Sequence, residues 1–271
     1  MNNTFNINRF GLLLKRQWLE FGKIYLMSLV VLIGILIAFY FFNAPDFNRS
    51  FFYKWDDHGH VQLGFRLPVF IAIGFLFLTI QASTYFSAFG QKPKAIMELM
   101  TPASVTEKFI CAILFSTILS LISYLLIFYI IDAIFLNYFN ELWQHSKATN
   151  YNTGKLTAVS FSTLFDDLTS EKEFKFLFAM PFFFSGIFLL GSIYFNRFHY
   201  IKTALSITAL FSFIIFFTIK FGNWITAGKS RIYTVDHVEK DFVLAIFFWS
   251  SVALSLIIWL ITYVRLKEKE V

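Results

Sequence analysis

One cysteine, Cys111, is all that this chain of 271 residues carries. An internal disulfide and a cysteine metal cluster are therefore excluded, and Cys111 lies in an apolar run where packing accounts for it. Charge is equally scarce. Only 15% of the residues are Asp, Glu, Lys or Arg, against about a quarter in soluble domains. Inside the long apolar runs ionisable residues nearly vanish, and no relay of acids or histidines crosses any of them, which argues against proton- or sodium-driven transport. There is no paired-histidine motif on a helix, no nucleophile elbow and no pair of carboxylates at matched depth, so an enzymatic reading finds no catalytic groups. The first apolar run starts near Ile24, too far in and too long for a cleavable signal peptide, and no small-residue cleavage site follows it. It reads as a retained first span.

What is present is hydrophobic. Apolar residues make up 57% of the chain and 39 of them are phenylalanine. A helix crossing about 30 Å of hydrocarbon needs about 20 such residues. Six stretches qualify: Ile24–Phe42, Leu67–Phe89, Phe109–Phe135, Phe176–Phe195, Ile201–Phe221 and Phe242–Val264. They are about twice the length of a barrel strand and do not alternate, so they predict helices. The expected fold is an all-α membrane protein, one six-span domain over 1–271.

The net charge of +6 belongs to residues flanking these runs, the usual device for orienting a membrane protein. A basic face with interleaved aromatics is missing, so nucleic acid is not a partner. Arg9, Lys15, Arg16, Lys23, Lys92, Lys94, Lys108, Arg197, Lys202, Arg265, Lys267 and Lys269 fall on one side, with only five acids (Glu20, Glu98, Glu107, Glu268 and Glu270). The other side has 11 basic residues and 12 acids. Both termini are expected in the cytoplasm. Residues 1–23 carry an amphipathic stretch, with Ile7, Phe10, Leu14, Trp18 and Phe21 on one stripe. It reads as an interfacial helix, or as a cytosolic helix packed on a partner.

The remaining polar features are few. Asp56-Asp57-His58-Gly59-His60 in the first outer loop is either a metal site or a polar loop near the headgroups. Phe161, Leu164, Phe165 and Leu168 in the 137–175 loop recur at helical spacing and predict a short amphipathic helix on the outer leaflet or over a pore mouth. Thr226-Ala227-Gly228-Lys229-Ser230 ends like a P-loop, but Asn223 stands where glycine is needed and a span, not a strand, precedes it. Asp132 sits towards the outer end of the third span, within reach of water, as a helix-end carboxylate or an ion site. Pro181 is expected to kink the fourth span, while Gly186 and Gly191 allow close approach of a neighbour.

The cytoplasmic segment 90–108 is a polar island between the second and third spans, punctuated by two prolines. Pro93 suits a helix start and Pro102 a stop. Between them Ile96, Leu99 and Met100 share a face, with Met97 beside them, in a helix of about two turns. Ser104 and Glu107 have capping-box spacing and open the third-span helix. Such a short helix with an apolar face suits docking in a partner's groove; a loop lying on the membrane surface fits the spacing as well.

The segment Leu99-Met100-Thr101-Pro102-Ala103-Ser104-Val105-Thr106-Glu107-Lys108-Phe109 resembles the L-x-L-P-A-S-x-x-E-K-F stretch of permease subunits of type-2 ATP-binding cassette exporters, especially those of Bacteroidota. The six-span layout with an amphipathic start is similar too. The resemblance implies a non-catalytic subunit in a bacterial inner membrane that binds no cofactor itself. ATP and magnesium would sit on a separate cytoplasmic ATPase subunit, and a second six-span unit, identical or not, would complete the path through the bilayer. It implies that Pro93–Met100 is the coupling helix on that ATPase. Ser104–Lys108 would set its angle, and Glu107 and Lys108 would offer polar contacts to it. The short, charged Gly222–Asp241 segment departs from family members that carry re-entrant helices there. A membrane sensor or assembly scaffold using the same island is the alternative reading.

Overall fold

In the absence of water a backbone group must find its partner nearby, which makes helix the default for long apolar runs. The computed structural model follows that rule, and it describes residues 5–43, 53–55, 61–90, 92–143, 147–149, 156–158, 161–165, 168, 178–226 and 237–270. Helix α1 (Ile7–Phe42) is followed by a short antiparallel strand pair, β1 (Tyr53–Trp55) with β2 (Val61–Leu63). Next come α2 (Arg66–Tyr85), a 3-10 turn (Phe86–Gly90) and the short α3 (Lys92–Leu99). Helix α4 (Val105–Ile113) runs through a π-helical stretch, Leu114–Leu119, into α5 (Ser120–Trp143). A second strand pair, β3 (Lys147–Thr149) with β4 (Leu156–Ala158), precedes α6 (Met180–Tyr194), α7 (His199–Thr226) and α8 (His237–Glu270). The two strand pairs qualify the all-α expectation, since each closes an interhelical connection by pairing it with itself.

Among the described residues, five helical runs are long and apolar enough to cross a membrane: Ile7–Phe42, Arg66–Phe89, Val105–Leu142, His199–Trp224 and Phe242–Lys269. The fourth expected span appears as α6, of 15 residues. Pro181 does not kink it. Proline stands in its first turn, where the missing N–H costs no hydrogen bond and the fixed φ suits a helix start. The expected interfacial segment and first span also join without a break, because α1 runs from Ile7 to Phe42. A lone Gly22 does not interrupt a helix, and the Trp18 ring covers it, 3.3 Å from where a Cβ would stand.

The helices group into two compact units. One comprises Met1–Leu14, Leu78–Thr117 and Phe176–Val271; the other comprises Lys15–Phe77 and Ile118–Lys175. In the first, α6 packs on α7 and α8. A Cβ on Gly191 would collide with Thr203 Oγ1, so α6 and α7 touch backbone to side chain there. Thr117 Oγ1 of the π stretch donates to Ser185 Oγ at 3.1 Å. Lys269 Nζ donates to the Ile193 carbonyl at 2.7 Å, supplying a positive charge to the end of α6 where carbonyls lack partners. The second unit is held by aromatic contacts, with Phe70 edge-on to Phe128 at 4.8 Å and Tyr40 stacked on Phe135 at 5.0 Å. Tyr25 there donates to Ser123 Oγ at 2.6 Å.

Candidate functional site

Segment 92–108 lies within the first unit. Helix α3 packs on the 3-10 turn Phe86–Gly90, and its last turn is closed by the Met100 N–H on the Ile96 carbonyl at 2.9 Å and by Thr101 Oγ1 on the Met97 carbonyl at 3.1 Å. Lys108 reaches back from α4, its Nζ donating to the Glu98 carbonyl at 3.1 Å. One helix thus supplies the cation that caps another. Ser104 is the N-cap of α4. Its Oγ accepts from the Glu107 N–H at 3.3 Å while Glu107 Oε2 accepts from the Ser104 N–H at 2.8 Å, so both halves of the capping box are present.

Glu107 does more than cap α4. Its Oε1 accepts the Asn6 N–H at 2.8 Å and Arg9 Nη2 at 3.0 Å. Asn6 is itself the cap of α1, with Oδ1 accepting the Asn8 N–H at 2.9 Å. A single carboxylate therefore ties together the amino ends of α1 and α4. That contact spans about a hundred residues of sequence, so spacing did not reveal it.

The expected site residues separate into two sets. Ile96, Met97 and Met100 are 57%, 61% and 77% exposed and form one apolar surface on and just after α3. Pro102 is exposed beside it. Ser104, Glu107 and Lys108 are buried, and the hydrogen bonds of Glu107 and Lys108 given above are made within the chain. Desolvating a carboxylate without hydrogen bonds is costly, and here three donors turn Glu107 inward. The backbones of Pro93 and Leu99 lie in α3, and their side chains lie outside the described residues.

A second polar constellation occurs in the other unit. Asp132, expected in contact with water, is buried, and so is Arg66. Arg66 Nη1 stands 3.3 and 3.4 Å from the two Asp132 oxygens and donates to the Ser162 carbonyl at 2.8 Å. Tyr40 Oη donates to Asp132 Oδ1 at 2.5 Å, and the Leu164 N–H donates to Oδ2 at 3.0 Å. Phe161, Leu164 and Leu168 of the apolar pattern in the 137–175 loop are buried, and Phe165 is half-buried. Arginine at the head of α2 was legible only as a loop residue, because its partner is 66 positions away.

Among the described residues no group of three or more His, Cys, Asp or Glu side chains is placed to hold a metal. Asp56–His60 lies outside the described residues, as does most of the Thr226–Ser230 stretch. No protein-family model matches the chain, and no curated protein or solved structure matches it either.

Proposed function

We propose that the chain is the non-catalytic membrane subunit of an ATP-driven exporter, with α3 as the helix on which a cytoplasmic ATPase subunit docks. The observation that carries this reading is the exposed surface of Ile96, Met97 and Met100 on a helix braced at both sides. Exposed methionines and isoleucine at i, i+1 and i+4 suit a hydrophobic groove, where methionine adapts its shape to the partner. The bracing suits force transmission. Lys108 ties the end of α3 to α4, and the capping box fixes the first turn of α4, so a push on α3 passes into the long helical run Val105–Leu142 instead of dissipating in a loose loop. Ser104, Glu107 and Lys108 act in this reading as braces, and Ile96, Met97 and Met100 as the contact.

The rest of the proposal follows the resemblance in the 99–109 motif. Six crossings of a bacterial inner membrane, α6 included, would place both termini in the cytoplasm. A second six-span unit, identical or different, would complete the path, and ATP and magnesium would be held by the ATPase.

Purification in mild detergent from the native host, followed by mass spectrometry, tests the reading. A nucleotide-binding subunit is expected to accompany the chain, and Ile96→Asp and Met100→Asp are each expected to reduce its recovery at least about tenfold, since each puts a charge into a hydrophobic contact. Full recovery with both variants moves the docking surface elsewhere. The absence of any ATPase from the native preparation, with the scaffold reading then favoured, overturns the proposal.

A further inference from the structure

The four apolar residues of the 137–175 loop are seated by their backbone as much as by their side chains. Phe161 meets Phe139 with ring centres 6.1 Å apart, and Phe165 meets Phe70, Phe128 and Tyr129 at 6.0, 6.4 and 5.8 Å. Hydrogen bonds also hold the backbone. The Phe161 N–H donates to Asn140 Oδ1 at 2.9 Å, the Ser162 carbonyl accepts from Arg66, and the Leu164 N–H donates to Asp132. Arg66 and Asp132 therefore grip one acceptor and one donor of the same short segment, whose Leu164 and Phe165 are helical.

We propose that residues 161–165 with Leu168 form a strap that opens and closes over the aromatic surface of Phe70, Phe128, Tyr129 and Phe139, with the Arg66–Asp132 pair as its clasp. The argument rests on what each state leaves unsatisfied. A buried ion pair stabilises a fold little better than apolar residues of the same volume, because both charges must be desolvated. Simple anchoring of the strap would not need one. This pair, however, stays intact when the strap leaves, because Asp132 keeps both Arg66 and Tyr40. Opening then breaks hydrogen bonds to the strap backbone, which water replaces, and strands no charge. A clasp made of one charge against the strap alone would leave that charge bare on every opening. The geometry thus supports a cover that is released as a unit and returns to the same register. The clasp stands whether or not an ATPase docks on α3.

Hydrogen–deuterium exchange of the full chain in lipid nanodiscs, read by mass spectrometry, tests it. In the native chain the amides of 161–165 are expected to exchange together, and faster than those of α5. Asp132→Asn leaves the Arg66 charge uncompensated in the closed state and hydrated in the open one. It is expected to speed exchange across 161–165 by at least about tenfold, the Phe161 amide included, while amides of α4 and α6 keep their protection. Arg66→Gln is expected to act in the same direction, and Tyr40→Phe, which spares the pair, to leave the strap near its native rate. Release of Leu164 without Phe161 overturns the proposal, because the strap then does not move as a unit. Unchanged exchange in both Asp132→Asn and Arg66→Gln overturns it as well, as does loss of protection throughout the chain, which would make the pair a support of the whole fold.

Discussion

At the scale of single residues, Glu107 shows how one side chain acquires several tasks. The spacing Ser104-x-x-Glu107 made its capping role readable, since all the atoms involved lie within four consecutive residues and the geometry is local. Its grip on Asn6 and Arg9 was not readable, because nothing in either stretch marks the other as a neighbour. The energies follow from the hydrogen-bond inventory. Glu107→Ala removes the acceptor for the Ser104 and Asn6 N–H groups and for Arg9. Ser104 is buried, where a donor left without a partner costs about 1–3 kcal/mol. Asn6 is exposed and Arg9 half-buried, so water replaces much of what they lose. The variant is expected to lose about 1–3 kcal/mol, seen as a drop of the thermal midpoint in detergent. Glu107→Gln keeps an oxygen for one of the two N–H groups and loses the charge that attracts Arg9, so a loss of about half that size is expected. Equal midpoints for Glu107→Ala and the native chain would show that the three contacts contribute nothing net.

At the scale of elements, packing depends on contacts that composition only hints at. Glycine in an apolar run signals close approach without naming the neighbour. Gly191 turns out to face Thr203 of α7, whereas a methyl group placed on Gly34 of α1 would meet nothing within 4 Å. The two glycines therefore predict opposite outcomes. Gly191→Ala forces a methyl group into the α6–α7 contact and is expected to destabilise by about 1–3 kcal/mol, as overpacking does. Gly34→Ala only removes backbone freedom and is expected to be neutral or to stabilise by about 1 kcal/mol. Thermal unfolding of the two variants in the same detergent checks the contrast, and a lower midpoint for Gly34→Ala than for Gly191→Ala would sink it. The π-helical stretch Leu114–Leu119 was not legible at all. Its residues fit an α-helical run equally well, and what sets it apart is tertiary. Ser116 and Thr117 are buried, and Thr117 reaches Ser185 68 positions on. Helix existence was thus written in local hydrophobicity, while helix irregularity was written in distant partners.

At the scale of the whole molecule, the open quantity is the parity of the crossings, and it turns on α6. Among the described residues, five helical runs are long enough to cross. Helix α6 has 15 residues, about 22 Å at 1.5 Å per residue, against a hydrocarbon core of about 30 Å. Length alone leaves it short. Two physical facts favour a crossing nonetheless. Helix α6 ends in a tight turn onto α7, with Phe198 in the left-handed region at φ 55, and Arg197 and Lys202 flank that turn. Basic residues at a short turn favour the cytoplasmic face, and crossings by both α7 and α8, each long enough to span, return the chain to that side at Lys267 and Lys269. A short helix is accommodated by local thinning of the bilayer at a modest cost. Phe198 is 72% exposed, which makes the turn a place to read sidedness directly, and the buried Cys111 contributes little background. In intact cells, Phe198→Cys is expected to resist a membrane-impermeant maleimide and to react in inverted vesicles. A cysteine placed after Val271 is expected to behave the same way. Labelling of Phe198→Cys from outside, with the tail still inside, would place the α6–α7 turn on the outer face and reduce the crossings to a different path.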